Sequence, residues 1–422
     1  MRRVCLLVAV CLLGLVPAAA SAAARRARGR STSQSLLIAA LNQGLARAGA
    51  YSGAYVEDLT TGAALYADNA AVGRLPASVE KLYTTSTVLF KFGPDARLST
   101  QVLGTGQRQG ATYTGTLYLR GGGDPTFGSA GFIHANYGTG ASVQQLVSGL
   151  VRATGITSFR GALVADESLL DSRRGTPPYR YRPALDVEGE LSALAFNRGW
   201  ADPLGTIYYR HPAIEAGQQF LSALRAAGVQ VPGSTEIRAG LTPPTATPLA
   251  AVVSPTMQTL VHLTNTPSDN FFAETLLKDL GARYGAGGTT AAGAAVVRAT
   301  IASRFGLHPQ LNDGSGLSRR DRTSPYDVVS LLRQQSGNPI FVDSLAVAGQ
   351  TGTLKDELRN TFAQSRCRGK TGTLSDASNL VGLCQARDGH TLAFAFLMNR
   401  IYPGYAHPIQ NAMALALAGY DG

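Results

Sequence analysis

The segment "PASVEKLYTTSTVLFKFGPD" (residues 76–95) has the pattern of one helix that a Gly-Pro pair ends. Ser78 stands near its start, three residues before Lys81, and side chains at this spacing share one helical face. Serine is a preferred helix N-cap, so one interpretation is a capped helix that carries a surface charge. The alternative is a nucleophile beside its general base, because a neutral lysine amine can take a serine proton.

Two later segments could complete such a site. The segment "TPSDNFFAETLLKDL" (residues 266–280) brings Ser268 and Asn270 to the start of another helix, where capping is again the simpler interpretation. The segment "GKTGTL" (residues 369–374) carries Lys370, which alone could be a surface charge on a strand. The chain has only five lysines, so S-x-x-K, S-D-N and K-T-G are unlikely to occur in this order by accident.

Other catalytic chemistries have little support in the sequence. No H-E-x-x-H, C-x-x-C or G-x-S-x-G motif occurs, and the six histidines are scattered. A phosphate-loop interpretation of Gly369-Lys370-Thr371 fails because Gln364 occupies the required earlier glycine position. We therefore expect no metal and no cofactor, and we interpret Asp124 and Asp313 as turn formers rather than catalytic acids.

The start of the chain predicts export. Residues 1–22 combine two arginines, a short apolar run and an A-x-A pattern, the layout of a signal peptide cleaved near Ala22. An uncleaved signal that acts as an anchor is the alternative. The arginine cluster in residues 23–30 contributes to the net charge of +11 and predicts a disordered basic leader in peripheral contact with an anionic envelope. We expect no nucleic-acid partner, since no recognition motif accompanies the charge.

The length predicts two domains. Helical and strand patterns at both ends of the chain indicate a sheet with helices on its faces. We expect this discontinuous catalytic domain to comprise residues 31–97 and 249–422, and an inserted β-rich accessory domain to comprise residues 98–248. Cys367 and Cys384 flank a strand-turn-strand pattern, so they form either a cross-strand disulfide or two buried free thiols.

Beyond the three motifs, the chain resembles the class C, low-molecular-weight penicillin-binding proteins, the D-alanyl-D-alanine carboxypeptidase/endopeptidase family. The resemblance spans nearly all of the chain after the signal segment. It is carried in the family's order by "ASVEKLYTTSTVLFKFGPD", "LYLRGGGDPTF", "SDNFFAETLLK", "DGSGLSRRDRTSP" and "GKTGTLSDASNLVGL". It implies a transpeptidase fold of the penicillin-binding and β-lactamase type, an α/β (α+β) fold with an antiparallel sheet flanked by helices. The insertion is shorter than in the larger members of the family. The resemblance therefore implies that one of their accessory subdomains is reduced or missing here.

The resemblance also assigns roles to residues of this chain. Ser78 would be the acylated nucleophile and Lys81 its general base. Ser268 would relay a proton to the leaving amine, Asn270 would bind the substrate amide, and Lys370 would hold the relay. The substrate's carboxylate would bind beside Thr371, Gly372 and Thr373, and the backbone N–H groups of Ser78 and Thr373 would form an oxyanion hole.

The expected function is therefore an exported serine-type D-Ala-D-Ala carboxypeptidase or endopeptidase of the periplasm or extracytoplasmic envelope. Peptidoglycan stem peptides would be its substrates. β-Lactams would be covalent inhibitors that leave slowly, because no deacylating carboxylate is evident in the sequence. A serine β-lactamase or esterase on the same scaffold, and an inactive wall-binding protein, are the alternatives.

Overall fold

The computed structural model describes the backbone from Pro17 to Gly422 and the side chains from Thr32 onward. The predicted signal segment therefore lies mostly outside the described residues. Within the described part, no helix is long and apolar enough to cross a membrane. The helices are α1 (Pro17–Ala48), α2 (Lys81–Phe92), α3 (Ala130–Asn136), α4 (Val143–Thr154), α5 (Pro212–Ala226), α6 (Met257–Asn265), α7 (Asn270–Tyr284), α8 (Thr290–Phe305), α9 (Pro325–Gln335), α10 (Pro339–Asp343) and α11 (Pro403–Ala418).

The strands form two sheets. They are β1 (Ser52–Asp58), β2 (Ala63–Asp68), β3 (Ser99–Gln109), β4 (Thr112–Arg120), β5 (Ser158–Asp166), β6 (Ile237–Ala239), β7 (Thr247–Val253), β8 (Ala346–Val347), β9 (Cys367–Leu374), β10 (Ala377–Gln385) and β11 (Thr391–Asn399). The six-stranded sheet has the order β2-β1-β11-β10-β9-β8, and all of its pairs are antiparallel. Strands from the two ends of the chain thus meet in one sheet, which confirms the predicted fold class.

Helices cover both faces of this sheet, as the side chains of β11 show. Ala393, Ala395 and Leu397 face a core shared with α2, α6, α7 and α8. The alternate residues of the strand, among them Phe394 and Phe396, face a second core shared with α1 and α11. Successive side chains of a strand point to opposite faces, so a strand covered on both sides is apolar along its whole length.

The second sheet has five strands in the order β6-β5-β4-β3-β7. The β3-β4 and β3-β7 pairs are antiparallel, whereas β4-β5 and β5-β6 are parallel. This sheet ends at Val253, a few residues after the predicted end of the insertion at residue 248. The segment between β5 and α5 also packs outside the five-stranded sheet, because Val187, Leu191 and Ala195 lie in the core formed by α2, α6, α7 and α8. The domain limits stay a prediction.

One sequence expectation for the first residues is wrong. Helix α1 starts at Pro17 and includes the basic leader of residues 23–30, for which the sequence predicts disorder. Alanine and arginine are strong helix formers, and no proline interrupts the helix after its first residue, so the backbone of the leader continues the helix of the following segment.

Cys367 and Cys384 are bonded to each other. Cys367 in β9 and Cys384 in β10 are directly opposite in the antiparallel register, with Cα atoms 4.0 Å apart, and a disulfide joins them. The bond links the strand that carries the K-T-G motif to the neighbouring strand of the sheet, so it anchors the strand at its first residue.

Candidate active site

Ser78 lies inside a short 3₁₀ turn (Ala77–Glu80) that leads directly into α2. Pro76 precedes this turn, and no side chain caps it. The Ser78 hydroxyl instead accepts a hydrogen bond from Lys81 Nζ at 2.9 Å. The capping interpretation of Ser78 is therefore not what the structure shows, whereas the spacing of three residues does bring the hydroxyl and the amine together.

Lys81 is fully buried and has three partners. Its Nζ atom donates to Ser78 Oγ, to Asn270 Oδ1 at 2.5 Å and to the Ser315 carbonyl at 3.0 Å. Burial disfavours the charged form and lowers the pKa of Lys81 from 10.5 to about 8, although the carboxylates nearest to it, led by Glu188, oppose this shift. About a tenth of Lys81 is therefore the free amine at pH 7.

The S-D-N motif forms a sharp turn before α7. Asp269, not Ser268 or Asn270, caps this helix by accepting a hydrogen bond from the Phe272 N–H at 2.9 Å. Ser268 has a φ of 71°, a left-handed conformation that is costly for a residue with a Cβ. This turn leaves Ser268 free to meet the lysine of the third motif, and it places Asn270 beside Lys81.

Lys370 lies in β9 and is the residue that the third motif contributes to the site. Its buried Nζ atom donates to Ser268 Oγ at 2.7 Å and to the Thr371 carbonyl at 2.9 Å. Burial and, after it, the charge of Lys81 hold the pKa of Lys370 well below its ordinary value. The three motifs, which are distant in the sequence, thus meet as two hydrogen-bonded pairs, Ser78 with Lys81 and Ser268 with Lys370.

Glycines allow the backbone to come close to Ser78. A Cβ on Gly372 would lie 2.4 Å from the Pro76 carbonyl oxygen, so only glycine lets β9 pass this near to the turn that holds Ser78. Gly316 has a φ of 82°, and a Cβ there would lie 1.8 Å from the Ala77 carbonyl oxygen. Strand β9 and the loop before α9 therefore close on the 3₁₀ turn from two sides.

The threonines of the third motif lie on one face of β9, as residues two apart do. Thr371 Oγ1 donates to Thr353 Oγ1 at 2.8 Å, and Thr373 is exposed. Both line a small cavity of about 180 Å³ together with Thr353. Their predicted role in binding a carboxylate stays a prediction.

Residues from the segment between β5 and α5 also reach this site, and sequence reasoning missed them. The Asp186 carbonyl accepts from Asn270 Nδ2 at 2.6 Å, and Glu188 Oε2 accepts from the Asn270 N–H at 2.9 Å. The buried Arg198 forms an ion pair with Asp269. No motif marks these residues in the sequence, because their contacts depend on how the segment folds over the S-D-N turn.

Among the described residues, one group of acids has the spacing of metal ligands. Glu80, Asp313 and Asp321 lie close together and are all buried. Burial and the neighbouring acids raise the pKa of Glu80 and of Asp313 well above the ordinary values. This shift favours the protonated acids over the charged forms that a metal ion needs. Asp313 also accepts from the Gly316 N–H at 2.8 Å, the contact of a turn former.

Comparisons with known proteins agree with this geometry. The family model described as D-Ala-D-Ala carboxypeptidase 3 (S13) matches residues 35–183 and 185–420. A D-alanyl-D-alanine carboxypeptidase from an Actinomadura species is 29% identical, and the match covers 100% of this chain and 91% of that protein. Carboxypeptidase DacB from Mycolicibacterium smegmatis is also 29% identical, over 92% of this chain and 84% of that protein.

Among solved structures, penicillin-binding protein 4 from Haemophilus influenzae matches with a TM-score of 0.74 at 19% sequence identity. The match covers 89% of this chain and 98% of that one, and at this identity it shows a common fold. The family model, in contrast, covers almost every described residue after the first helical turns of the chain. The chain therefore belongs to the S13 family, the D-Ala-D-Ala carboxypeptidase 3 family, as its three motifs indicate.

Proposed function

We propose that this chain is a serine-type D-Ala-D-Ala carboxypeptidase and endopeptidase that acts on peptidoglycan stem peptides through an acyl-enzyme at Ser78. The observation that carries the proposal is the hydrogen bond between Ser78 Oγ and a buried, fully enclosed lysine amine in a chain of the S13 family. Relatives of this family are named as D-alanyl-D-alanine carboxypeptidases, and the structure of one protein of similar fold holds a β-lactam.

Lys81 has the surroundings of a general base for acylation. A neutral amine has two N–H donors and one lone pair. Asn270 Oδ1 and the Ser315 carbonyl are acceptors for the two N–H groups, which leaves the lone pair for the proton of the Ser78 hydroxyl. As Ser78 Oγ attacks the carbonyl carbon of the penultimate D-alanine, its proton passes to Lys81.

The hydrogen-bonded pair of Ser268 and Lys370 has the groups needed to protonate the leaving amine. Cleavage of the peptide bond needs a proton on the amine of the terminal D-alanine. Ser268, held by Lys370, would relay this proton from the protonated Lys81 to the amine, and Asn270 would orient the amide of the substrate. The backbone N–H groups of Ser78 and Thr373 would stabilise the oxyanion, a contribution of about 3 kcal/mol where one such donor has been removed in other enzymes.

The place of action follows from the substrate. Peptidoglycan lies outside the cytoplasm, so we place the enzyme in the extracytoplasmic envelope, with residues 1–22 as a cleaved signal and the arginine-rich leader in contact with anionic envelope polymers. We also propose that residues 98–248 are an accessory unit within the catalytic unit of residues 31–97 and 249–422.

The experiment that tests this function is release of D-alanine from an N-acylated peptide that ends in D-Ala-D-Ala. The wild-type protein should release D-alanine, and Ser78→Ala should abolish the release. Ser336→Ala is the matched control, because Ser336 belongs to another S-x-N sequence and lies on the surface away from the Lys81 network. Activity that persists in Ser78→Ala would contradict the proposal.

A further inference from the structure

Glu188 is held firmly at the edge of the Ser78 site. It ends a 3₁₀ turn (Leu185–Val187), and its φ of 64° is a left-handed conformation that is unfavourable for residues other than glycine. Its carbonyl accepts from Trp200 Nε1 at 2.9 Å, and its carboxylate accepts from the Asn270 N–H at 2.9 Å. The backbone and the side chain are thus both fixed in place.

Glu188 is also close to the reacting groups. Asn270, whose N–H binds Glu188, accepts from Lys81 through its side chain, and Lys81 in turn binds Ser78 Oγ. Arg198 Nη1 lies 3.8 Å from the same carboxylate oxygen and balances its charge. The carboxylate therefore stands next to the residue that orients Lys81.

Solvent access separates Glu188 from the other carboxylates near Lys81. Burial lowers the pKa of Lys81, and four nearby carboxylates raise it. Glu188 raises it most among the four. Of these, Glu274 and Asp313 are at most 1% exposed. The Asp269 side chain is 11% exposed and is committed to Arg198 and to the helix cap. The Glu188 side chain is 41% exposed, so among the described acids of this group it is the one that meets water.

We propose that Glu188 is the general base that activates water to hydrolyse the acyl-enzyme. This inference rests on the proposed function, since it needs an acyl group on Ser78. The carboxylate takes a proton from a water molecule, whose oxygen bonds to the acyl carbonyl carbon. The tetrahedral intermediate then collapses, the bond from carbon to Ser78 Oγ breaks, and Oγ takes up the proton that Glu188 received from the water. The product leaves as a carboxylic acid, and Glu188 is again a carboxylate.

The electrostatic surroundings of Glu188 suit a base. Partial burial, and then repulsion by Asp269, raise the pKa of Glu188 above its ordinary value, which makes the carboxylate a stronger base than a free one. No motif in the sequence marks Glu188. The sequence predicts that acyl groups leave slowly, because it shows no deacylating carboxylate. With Glu188 in this role, the acyl-enzyme would be hydrolysed faster than that prediction implies.

The test separates acylation from deacylation. The protein is acylated with benzylpenicillin, the excess drug is removed, and the intact mass is followed as the adduct decays. In Glu188→Gln the amide oxygen can still accept from the Asn270 N–H, so we expect acylation to persist. Loss of the base should lengthen the half-life of the adduct about 100-fold or more.

Two further variants sharpen the outcome. Glu236→Gln is the matched control, because Glu236 is a surface glutamate directly before β6 with a side chain 66% exposed, and its adduct should decay at the wild-type rate. In Glu188→Ala, added acetate should accelerate the decay by replacing the missing carboxylate.

Each alternative result has a definite meaning. An adduct that decays equally fast in wild type and in Glu188→Gln would overturn the inference, and so would a wild-type adduct that never decays. If Glu188→Gln folds but is not acylated, Glu188 builds the site rather than hydrolysing the ester, which also overturns it. If the wild-type protein forms no adduct at all, the proposed function itself fails, and this inference fails with it.

Discussion

The pH dependence of acylation follows directly from the surroundings of Lys81. Its buried amine has a pKa lowered to about 8, and only the free amine can take the proton of Ser78. Raising the pH therefore increases the active fraction. For a pKa of about 8, the free amine makes up about 9% of Lys81 at pH 7 and about 91% at pH 9, so the acylation rate should rise about tenfold between them.

The assay is the second-order rate of acylation by benzylpenicillin, measured by rapid quench and intact mass from pH 6 to pH 10. We expect a single rise with a midpoint near pH 8. Lys355→Gln is the matched control, because Lys355 is exposed and its loss should leave the profile unchanged. A midpoint near the ordinary lysine value of 10.5, or a rate that does not depend on pH, would refute the role of Lys81 as the free base.

Three other perturbations have defined outcomes. Lys370→Met should lower kcat/KM for D-alanine release about 100-fold or more without lowering the urea midpoint, because it removes the buried amine that donates to the relay serine; an unchanged kcat/KM would contradict its role. Replacing Cys367 and Cys384 by alanine should cost about 3 kcal/mol of unfolding free energy in urea, given their separation of 17 residues, and an unchanged midpoint would contradict this. Gly316→Ala should destabilise the protein by about 2 kcal/mol or more and slow acylation. The new Cβ would collide with the Ala77 carbonyl oxygen, and the positive φ of this position is unfavourable for alanine. Wild-type stability and a wild-type acylation rate would contradict this prediction.

The sequence predicted the parts of the fold that local patterns encode. The helix that the Gly93-Pro94 pair ends, and the strand-turn-strand flanked by Cys367 and Cys384, both occur where the patterns indicate them. Alternating or continuous apolar residues and turn glycines identify such elements one at a time. The prediction of a disordered leader is wrong because strong helix formers continue through residues 23–30.

The candidate site shows where local patterns stop being informative. Capping was assigned to Ser78 and to Ser268 or Asn270 as the simpler interpretation, yet Asp269 is the residue that caps α7. Hydroxyl, amide and carboxylate side chains all cap helices well, so the choice depends on tertiary contacts. Glu188 escaped notice for the same reason, since its backbone is fixed by Trp200 and its carboxylate by a residue 82 positions away.

The most direct test of the central claim is the mass of the protein after brief exposure to excess benzylpenicillin, followed by peptide mapping. The account predicts one drug molecule per chain, bound to the peptide that contains Ser78, and no adduct in Ser78→Ala. An unmodified wild-type protein with the drug intact, or an adduct on a peptide without Ser78, would contradict the claim that Ser78 is the nucleophile.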